Sequence, residues 1–266
     1  MAKITVATLK KMKHAGDKFA CLTAYDALFA QVLEAAGIEV LLVGDSLGMV
    51  IQGHESTLPV TIDDIIYHSR AVHRGGKHAL IMADMPFMSY VNDAQALDNA
   101  GRVLKEGGAH IVKLEGGAAL AGIVKQLADH GIPVCGHLGL LPQSVNKMGG
   151  YKIQGTDAQS AQSILHDAKT LEQAGCDIML LECVPLQLAK QVTESLSIPV
   201  IGIGAGPHCD GQVLVLQDML GITPGRRPRF THDFLKDTGS VSAAVEAYVK
   251  AVKSGAFPLE QHSFSS

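Results

Sequence analysis

Short apolar runs recur along this chain, and several of them end at a side chain that can bind a metal ion or transfer a proton. Each run has the length of a buried parallel strand and is followed by apolar residues at helical spacing, which indicates repeated βα units. The carboxyl ends of parallel barrel strands meet at one rim, so the pattern predicts a single shared site. The residues at or just beyond these ends are Asp45, Asp84, Lys113, Glu115, His137 and Glu182.

The regular alternation of predicted strands and helices favours one fold class. We expect strands at residues 19–23, 38–44, 78–83, 110–114, 132–136, 177–181, 198–203 and 213–216. A doubly wound open sheet is the alternative, but no G-x-G-x-x-G motif follows the first strand. The sequence therefore predicts that residues 1–266 form a single-domain (β/α)8 TIM barrel.

The composition of the chain indicates which kinds of binding partner and cellular location to expect. The formal net charge is −4 and basic residues form no run, which argues against nucleic acid. No apolar stretch reaches the roughly 20 residues of a membrane span, and the N-terminus lacks a signal-peptide pattern, so we predict a cytoplasmic protein with no membrane partner. The five cysteines are scattered and without a CxxC pair, which indicates small buried side chains in a reducing compartment.

Asp45 and Asp84 end two neighbouring strands and are candidate metal ligands. Adjacent parallel strands lie about 4.8 Å apart, so two such carboxylates can share one hard cation. Two protein ligands leave positions open for substrate and water, as is typical of Mg2+, and Glu115 could support the metal through a bound water. Alternatively, each aspartate caps a helix or loop.

Lys113 and His137 are candidates for binding an anion. Lys113 could neutralise an anionic substrate or form a Schiff base, and the carboxylates around it favour its ammonium form and the first role. His137 could hydrogen-bond a substrate oxygen, although a lone histidine in a strand is equally consistent with a structural role.

Glu182 is the candidate general base. It follows the apolar run of residues 179–181, and an apolar environment disfavours the charged form of a carboxylate. A helix cap before Pro185 is the alternative. Ser46 is either a helix cap or a hydrogen-bond donor to substrate, and the glycines of residues 202–206 form either a phosphate-binding loop or a close-packed turn.

Long motifs distributed over nearly the whole chain resemble the ketopantoate hydroxymethyltransferase family. They occur in the family's order. They are TAYD at residues 23–26, VGDSLGM at 43–49, QGHESTLPVT at 52–61, ADMPF at 83–87, VKLEGG at 112–117, VCGHLG at 134–139, PQSVN at 142–146, GGYK at 149–152, LECVP at 181–185 and GIGAG at 202–206.

The resemblance implies an activity and a set of roles. It implies transfer of a hydroxymethyl group from 5,10-methylenetetrahydrofolate to 3-methyl-2-oxobutanoate, giving 2-dehydropantoate, by a (β/α)8 barrel that is usually a homodecamer. The implied roles are Mg2+ ligation by Asp45 and Asp84 with support from Glu115, contact with the 2-oxo acid by Ser46, Asp84 and Lys113, a nearby His137, and proton acceptance by Glu182.

Other functions stay open at this level. One is a different Mg2+-dependent barrel enzyme of 2-oxo acids, a lyase or mutase, that forms an enolate without folate. A second is a Schiff-base aldolase that uses Lys113. A third is a non-catalytic scaffold, which is disfavoured because candidate metal, cation and base groups share one rim.

Overall fold

The computed structural model describes residues 2–225 and 227–265. Within these ranges, eight parallel strands close into one barrel in chain order, with β8 paired to β1. The predicted (β/α)8 TIM-barrel fold is confirmed. The strands are β1 (Phe19–Thr23), β2 (Val40–Val43), β3 (Leu80–Asp84), β4 (Ile111–Glu115), β5 (Val134–Gly139), β6 (Ile178–Glu182), β7 (Val200–Ile203) and β8 (Gly211–Leu214).

Helices join the strands and cover the outside of the barrel. The α-helices are α1 (Val6–Ala15), α2 (Ala27–Ala35), α3 (Leu47–Val50), α4 (Ile62–Gly75), α5 (Asp93–Lys105), α6 (Ala121–Asp129), α7 (Val145–Met148), α8 (Ala158–Gln173), α9 (Leu186–Ser195), α10 (Leu216–Met219), α11 (Phe234–Thr238) and α12 (Val241–Ser254). Short 3-10 turns span Ala118–Leu120, Pro142–Ser144 and Glu260–His262.

Local signals placed several boundaries correctly. The bounds predicted for β1 match the structure, and most other strands differ by one or two residues. Thr61 caps α4 by accepting a hydrogen bond from the backbone of Asp64, whose side chain accepts one from the backbone of Thr61, and this reciprocal pair is a capping box. Strand β5 extends to Gly139, three residues beyond its predicted end, because its pairing with β6 continues to Glu182.

Apolar side chains form two separate cores, one on each face of the strands. One fills the barrel interior with alternate strand residues such as Leu80 and Met82 of β3. The other lies between strands and helices and contains the intervening residues Ile81 and Ala83. Successive strand residues point to opposite faces, so every second side chain of β3 faces the interior, and Asp84 continues that series.

Helix α1, which the sequence analysis did not predict, closes the bottom of the barrel. Leu9 is fully buried and belongs to the interior core. Lys10 and Lys13 form ion pairs of 2.9 and 2.8 Å with Asp177 and Asp210, residues that directly precede β6 and β8. The N-terminal segment therefore seals the end of the barrel opposite to the predicted site.

The structure bears on two further expectations. In the part of the chain that it describes, no helix combines the length and the apolar character needed to cross a membrane. All five cysteines are buried free thiols, as predicted. Burial raises the pKa of the Cys183 thiol, and the same holds for Cys21, Cys135, Cys176 and Cys209, so none is poised as a nucleophile.

Candidate active site

A cavity of about 620 Å³ opens at the carboxyl ends of the strands. Its lining includes all seven predicted site residues, and the expectation of one shared site agrees with this geometry. They are Asp45, Ser46, Asp84, Lys113, Glu115, His137 and Glu182.

The strand period explains why these side chains face inward. Ile111, Lys113 and Glu115 alternate with outward residues of β4, so two charged side chains stand above one apolar interior residue. Leu180 and Glu182 of β6 follow the same rule. Each strand thus contributes apolar side chains to the core and a polar one to the rim.

Asp84 and Lys113 form a buried ion pair. They occupy paired positions on β3 and β4, and Nζ of Lys113 lies 2.9 Å from Oδ1 of Asp84. Burial by itself would lower the pKa of Lys113, but the carboxylates of Asp84, Glu115 and Asp45 outweigh burial and raise it. Lys113 is therefore a fixed ammonium group, which suits charge neutralisation and disfavours the Schiff-base hypothesis.

Asp45 lies just beyond β2 and is 3% exposed. Its backbone N–H donates to Oδ2 of Asp84 over 2.9 Å, and its own Oδ2 accepts a hydrogen bond from Nε2 of Gln143. Burial and the carboxylates of Asp84 and Glu115 raise the pKa of Asp45 well above its usual range. This contact pattern does not support the cap interpretation of either aspartate.

The carboxylates present suit a hard divalent cation. Asp45, Asp84 and Glu115 are all buried, and Lys113 balances only one of them. Oε1 of Glu115 is buried and has no hydrogen-bond partner within the described residues. A cation held by oxygen atoms would relieve both the repulsion and the missing contact.

The side chains do not form a complete cage. Over residues 2–225 and 227–265, no three His, Cys, Asp or Glu side chains are grouped so that they alone could hold a metal ion. A site of this kind would take further ligands from substrate and water, as Mg2+ commonly does. Ligation by Glu115 stays a prediction.

His137 lies between two carboxylates. Its Nδ1 is 3.4 Å from Oε1 of Glu115, and its Nε2 is 3.3 Å from Oε2 of Glu182. These distances are at the long end for hydrogen bonds, so we treat the contacts as electrostatic. Burial and Lys113 would lower the pKa of His137, but the two carboxylates outweigh them and raise it.

Glu182 stands on the opposite side of the barrel from Asp45. The strands follow chain order around the circle, so β6 faces β2 across the cavity. The side chain of Glu182 is 16% exposed and contacts His137, so its surroundings are more polar than the apolar run before it indicated. Helix α9 begins after Pro185, which excludes Glu182 as its N-terminal cap.

Ser46 precedes α3, and its side chain is directed at another residue of the rim. Oγ of Ser46 lies 2.9 Å from the hydroxyl of Tyr25, which belongs to the TAYD motif. Ser46 lines the cavity beside Asp45. This arrangement favours the substrate-donor interpretation over the helix cap.

The glycine loop after β7 is packed against side chains. A Cβ atom added to Gly204 would lie 2.9 Å from Phe230 and 3.2 Å from Phe264, and one added to Gly206 would lie 2.7 Å from Leu186. Aromatic and aliphatic groups thus occupy the space that a bound phosphate would need. The close-packing interpretation of this loop is the one that the geometry supports.

Sequence reasoning missed Gln143 as a site residue. It lies in the 3-10 turn after β5 and is 6% exposed. Its backbone N–H donates to Oε2 of Glu115, its side-chain amide donates to Asp45, and its Oε1 accepts a hydrogen bond from Tyr90. Its place in the PQSVN motif was the available signal. Residues 151–153, further along the same segment between β5 and α8, also line the cavity.

Comparison with known proteins identifies the family. Residues 3–260 match the family model described as ketopantoate hydroxymethyltransferase. The chain belongs to the ketopantoate hydroxymethyltransferase family. Similar relatives include the 3-methyl-2-oxobutanoate hydroxymethyltransferases of Nitrosococcus oceani and Erwinia tasmaniensis, each 58% identical over 264 residues, which is 99% of this chain and 100% of the relative.

Solved structures with a similar fold share much less sequence with this chain than the family relatives do. A phosphoenolpyruvate phosphomutase from Streptomyces platensis subsp. rosaceus aligns with a TM-score of 0.62 at 14% identity, over 81% of this chain and 82% of the other. A phosphonopyruvate hydrolase aligns with a TM-score of 0.61 at 14% identity, over 98% and 93% of the two chains. At this identity the likeness describes the barrel fold alone.

Proposed function

We propose that the protein transfers a hydroxymethyl group from 5,10-methylenetetrahydrofolate to 3-methyl-2-oxobutanoate and so produces 2-dehydropantoate. The observation that carries the proposal is the placement of Glu182 across one cavity from Asp45, Asp84 and Lys113. A 2-oxo acid held by the β2–β4 side of the rim would present its C3 proton toward β6. Full-length relatives at 55–58% identity that carry this enzyme name support the same activity.

Different side chains of the site bind the substrate and remove its proton. The ammonium of Lys113 offsets the negative charge of the substrate, and the Ser46 hydroxyl and His137 ring provide hydrogen bonds to its oxygens. The carboxylate of Glu182 removes the proton from C3, and His137 at 3.3 Å from its Oε2 orients that carboxylate.

Asp45 and Asp84, with support from Glu115, would hold Mg2+ at the same rim. When bound there, the ion supplies Lewis-acid polarisation of the substrate's keto oxygen, which makes the C3 proton more acidic. Gln143 holds Asp45 in place for this role through its 2.9 Å hydrogen bond.

The transfer balances with one water molecule. C3 of the substrate loses its proton to Glu182 and forms a bond to the methylene carbon of the folate. The bonds from that carbon to the two folate nitrogens break, and water supplies the hydroxyl group. One nitrogen takes up the proton that Glu182 removed and the other takes up the second proton of the water, so tetrahydrofolate leaves and Glu182 is regenerated as a carboxylate.

We also propose that residues 1–266 form one catalytic domain, that the protein assembles as a homodecamer and that it is located in the cytoplasm.

The decisive experiment separates proton removal from folate chemistry. The protein is incubated with 3-methyl-2-oxobutanoate in deuterated water, and deuterium at C3 is followed by NMR. We expect Mg2+-dependent exchange that is lost in Glu182→Gln and on chelation. The matched control is Glu194→Gln, because Glu194 is an exposed residue of α9 whose carboxylate, among the residues that the structure describes, pairs with Lys190 alone, at 3.9 Å.

Exchange that persists in Glu182→Gln would reject this residue as the base, and exchange that persists with chelator would reject the metal. Formation of 2-dehydropantoate on addition of 5,10-methylenetetrahydrofolate then distinguishes the transferase from a lyase or mutase that forms an enolate without folate.

A further inference from the structure

The cavity has two chemically different halves. The charged residues of the proposed reaction site stand at the ends of β2 to β6, whereas the wall above β7 and β8 is lined mainly by apolar side chains. Aromatic rings from the chain beyond β8 extend this wall. The apolar lining residues of this half are Ile203, Val213, Leu214, Val215, Phe230 and Phe264. The half above β7 and β8 is therefore suited to a flat apolar surface rather than to a small anion.

Asp218 is a carboxylate in the apolar half. It lies in α10 directly after β8, lines the cavity and is 8% exposed. Its Oδ1 accepts a hydrogen bond of 2.5 Å from the hydroxyl of Thr223. Among the residues that the structure describes, no hydrogen bond or ion pair reaches Oδ2. Asp26 has a comparable position in sequence after β1, but its carboxylate caps α2 by accepting from the backbone of Phe29.

A buried carboxylate without a cation is costly, and burial raises the pKa of Asp218. The charge of Arg227 lowers the pKa of Asp218 by less than burial raises it, and the guanidinium of Arg227 donates to Asp233 over 2.8 Å instead of pairing with Asp218. Neither capping nor an ion pair within the described residues accounts for the position of Asp218. A ligand that offers two adjacent N–H donors would satisfy its free acceptor positions.

We propose that Asp218 binds the 2-amino-4-oxopyrimidine edge of the folate pterin ring. This inference rests on the proposed function and places its co-substrate. The ring N–H and the exocyclic amino group form a paired donor edge that matches a carboxylate, and the apolar wall covers the ring faces. A cavity of about 620 Å³ lies within the range of roughly 300–1,000 Å³ typical of drug-sized ligands, and a short branched oxo acid would leave much of it empty.

Charge at the cavity supports the same orientation. Lys152, in the segment between β5 and α8, also lines it. Its ammonium group offers a cation to a carboxylate of the glutamyl tail, while Asp218 is the acceptor for the opposite end of the molecule. The two ends of folate thus meet groups of complementary character in one cavity.

The test compares Asp218→Asn and Asp218→Ala with wild type, and Asp26→Asn is the matched control because asparagine also caps helices well. Two ligands are titrated in the presence of 3-methyl-2-oxobutanoate and Mg2+: tetrahydrofolate, and its 2-desamino analogue, which lacks one donor. For the Asp218 variants we expect tetrahydrofolate to bind at least about tenfold more weakly. Wild type should prefer tetrahydrofolate over the analogue by a similar factor, and Asp218→Ala should lose that preference.

Exchange of the C3 proton needs no folate and reports on the rest of the site. We expect both Asp218 variants to exchange within about twofold of wild type. If they exchange normally and bind tetrahydrofolate as wild type does, the assignment of Asp218 is overturned and the proposed function stands. If exchange is lost together with folate binding, Asp218 has a structural role and the assignment is again overturned. Absence of exchange in wild type would instead contradict the proposed function.

Discussion

The side-chain amide of Gln143 donates a hydrogen bond to Oδ2 of Asp45 over 2.9 Å, across 98 positions of sequence. The same amide donates to the carbonyl of Met85, and the backbone N–H of Gln143 donates to Glu115. One residue of the β5 loop therefore links the ends of β2, β3 and β4. Gln143 is a positioning residue for the carboxylates proposed to hold the metal.

Replacing Gln143 with leucine should weaken metal binding. The change leaves Oδ2 of Asp45 buried without its donor, which makes the charged carboxylate less favourable. Hydrogen bonds to charged groups contribute about 1.5–3 kcal/mol. We therefore expect the Mg2+ concentration that gives half-maximal C3 exchange to rise at least about tenfold. Titration of the exchange rate with Mg2+ measures this change.

Tyr90→Phe is the control for Gln143→Leu. It removes the hydroxyl that donates to Oε1 of Gln143 but leaves the contact between Gln143 and Asp45 in place. We expect a smaller rise in the half-maximal Mg2+ concentration than for Gln143→Leu. An unchanged half-maximal concentration in Gln143→Leu would show that Asp45 needs no support from the loop.

Lys113 should act as a fixed cation and form no covalent bond with substrate. The surrounding carboxylates raise its pKa, so the unprotonated amine that attacks a carbonyl is scarce at neutral pH. We expect treatment with borohydride and 3-methyl-2-oxobutanoate to leave the mass of the protein unchanged in mass spectrometry. A reduced adduct located at Lys113 would support the aldolase hypothesis instead.

The strand-end residues were predictable because a strand has a strict period of two. Once β6 is recognised from its apolar residues, the alternation of side chains between the two faces of the strand places Glu182 at the rim. The same alternation places Asp84 and Lys113. Contacts made by irregular segments follow no such period and cannot be predicted in this way. The bond from Gln143 to Asp45 depends on how the loop after β5 folds back, which no local pattern encodes.

Two other differences have physical causes. Helix α1 was not predicted because Leu9 is the only one of its residues that is buried, which leaves its apolar stripe narrow. The sequence predicts the last strand at residues 213–216, whereas β8 ends at Leu214 because helix α10 begins at Leu216.

Cys183 should contribute backbone geometry and no thiol chemistry. It follows Glu182 with a φ of 48°, in the left-handed region that costs L residues roughly 1–2 kcal/mol. A β-branched side chain suffers most there, so Cys183→Val should be less stable than Cys183→Ala by about 1–3 kcal/mol in urea unfolding. Cys183→Ala should retain C3 exchange, and loss of exchange in a folded Cys183→Ala protein would implicate the thiol.

Leu9 should contribute to stability without affecting the site. Its side chain is fully buried in the interior core at the bottom of the barrel, so Leu9→Ala leaves a cavity and should lower the free energy of unfolding by about 2–5 kcal/mol. Leu28→Ala is the matched control, because Leu28 is 73% exposed and its loss should change stability by less than about 0.5 kcal/mol. Urea unfolding measures both variants, and C3 exchange in the folded state should match wild type. Equal stability of the two variants would mean that α1 does not seal the barrel.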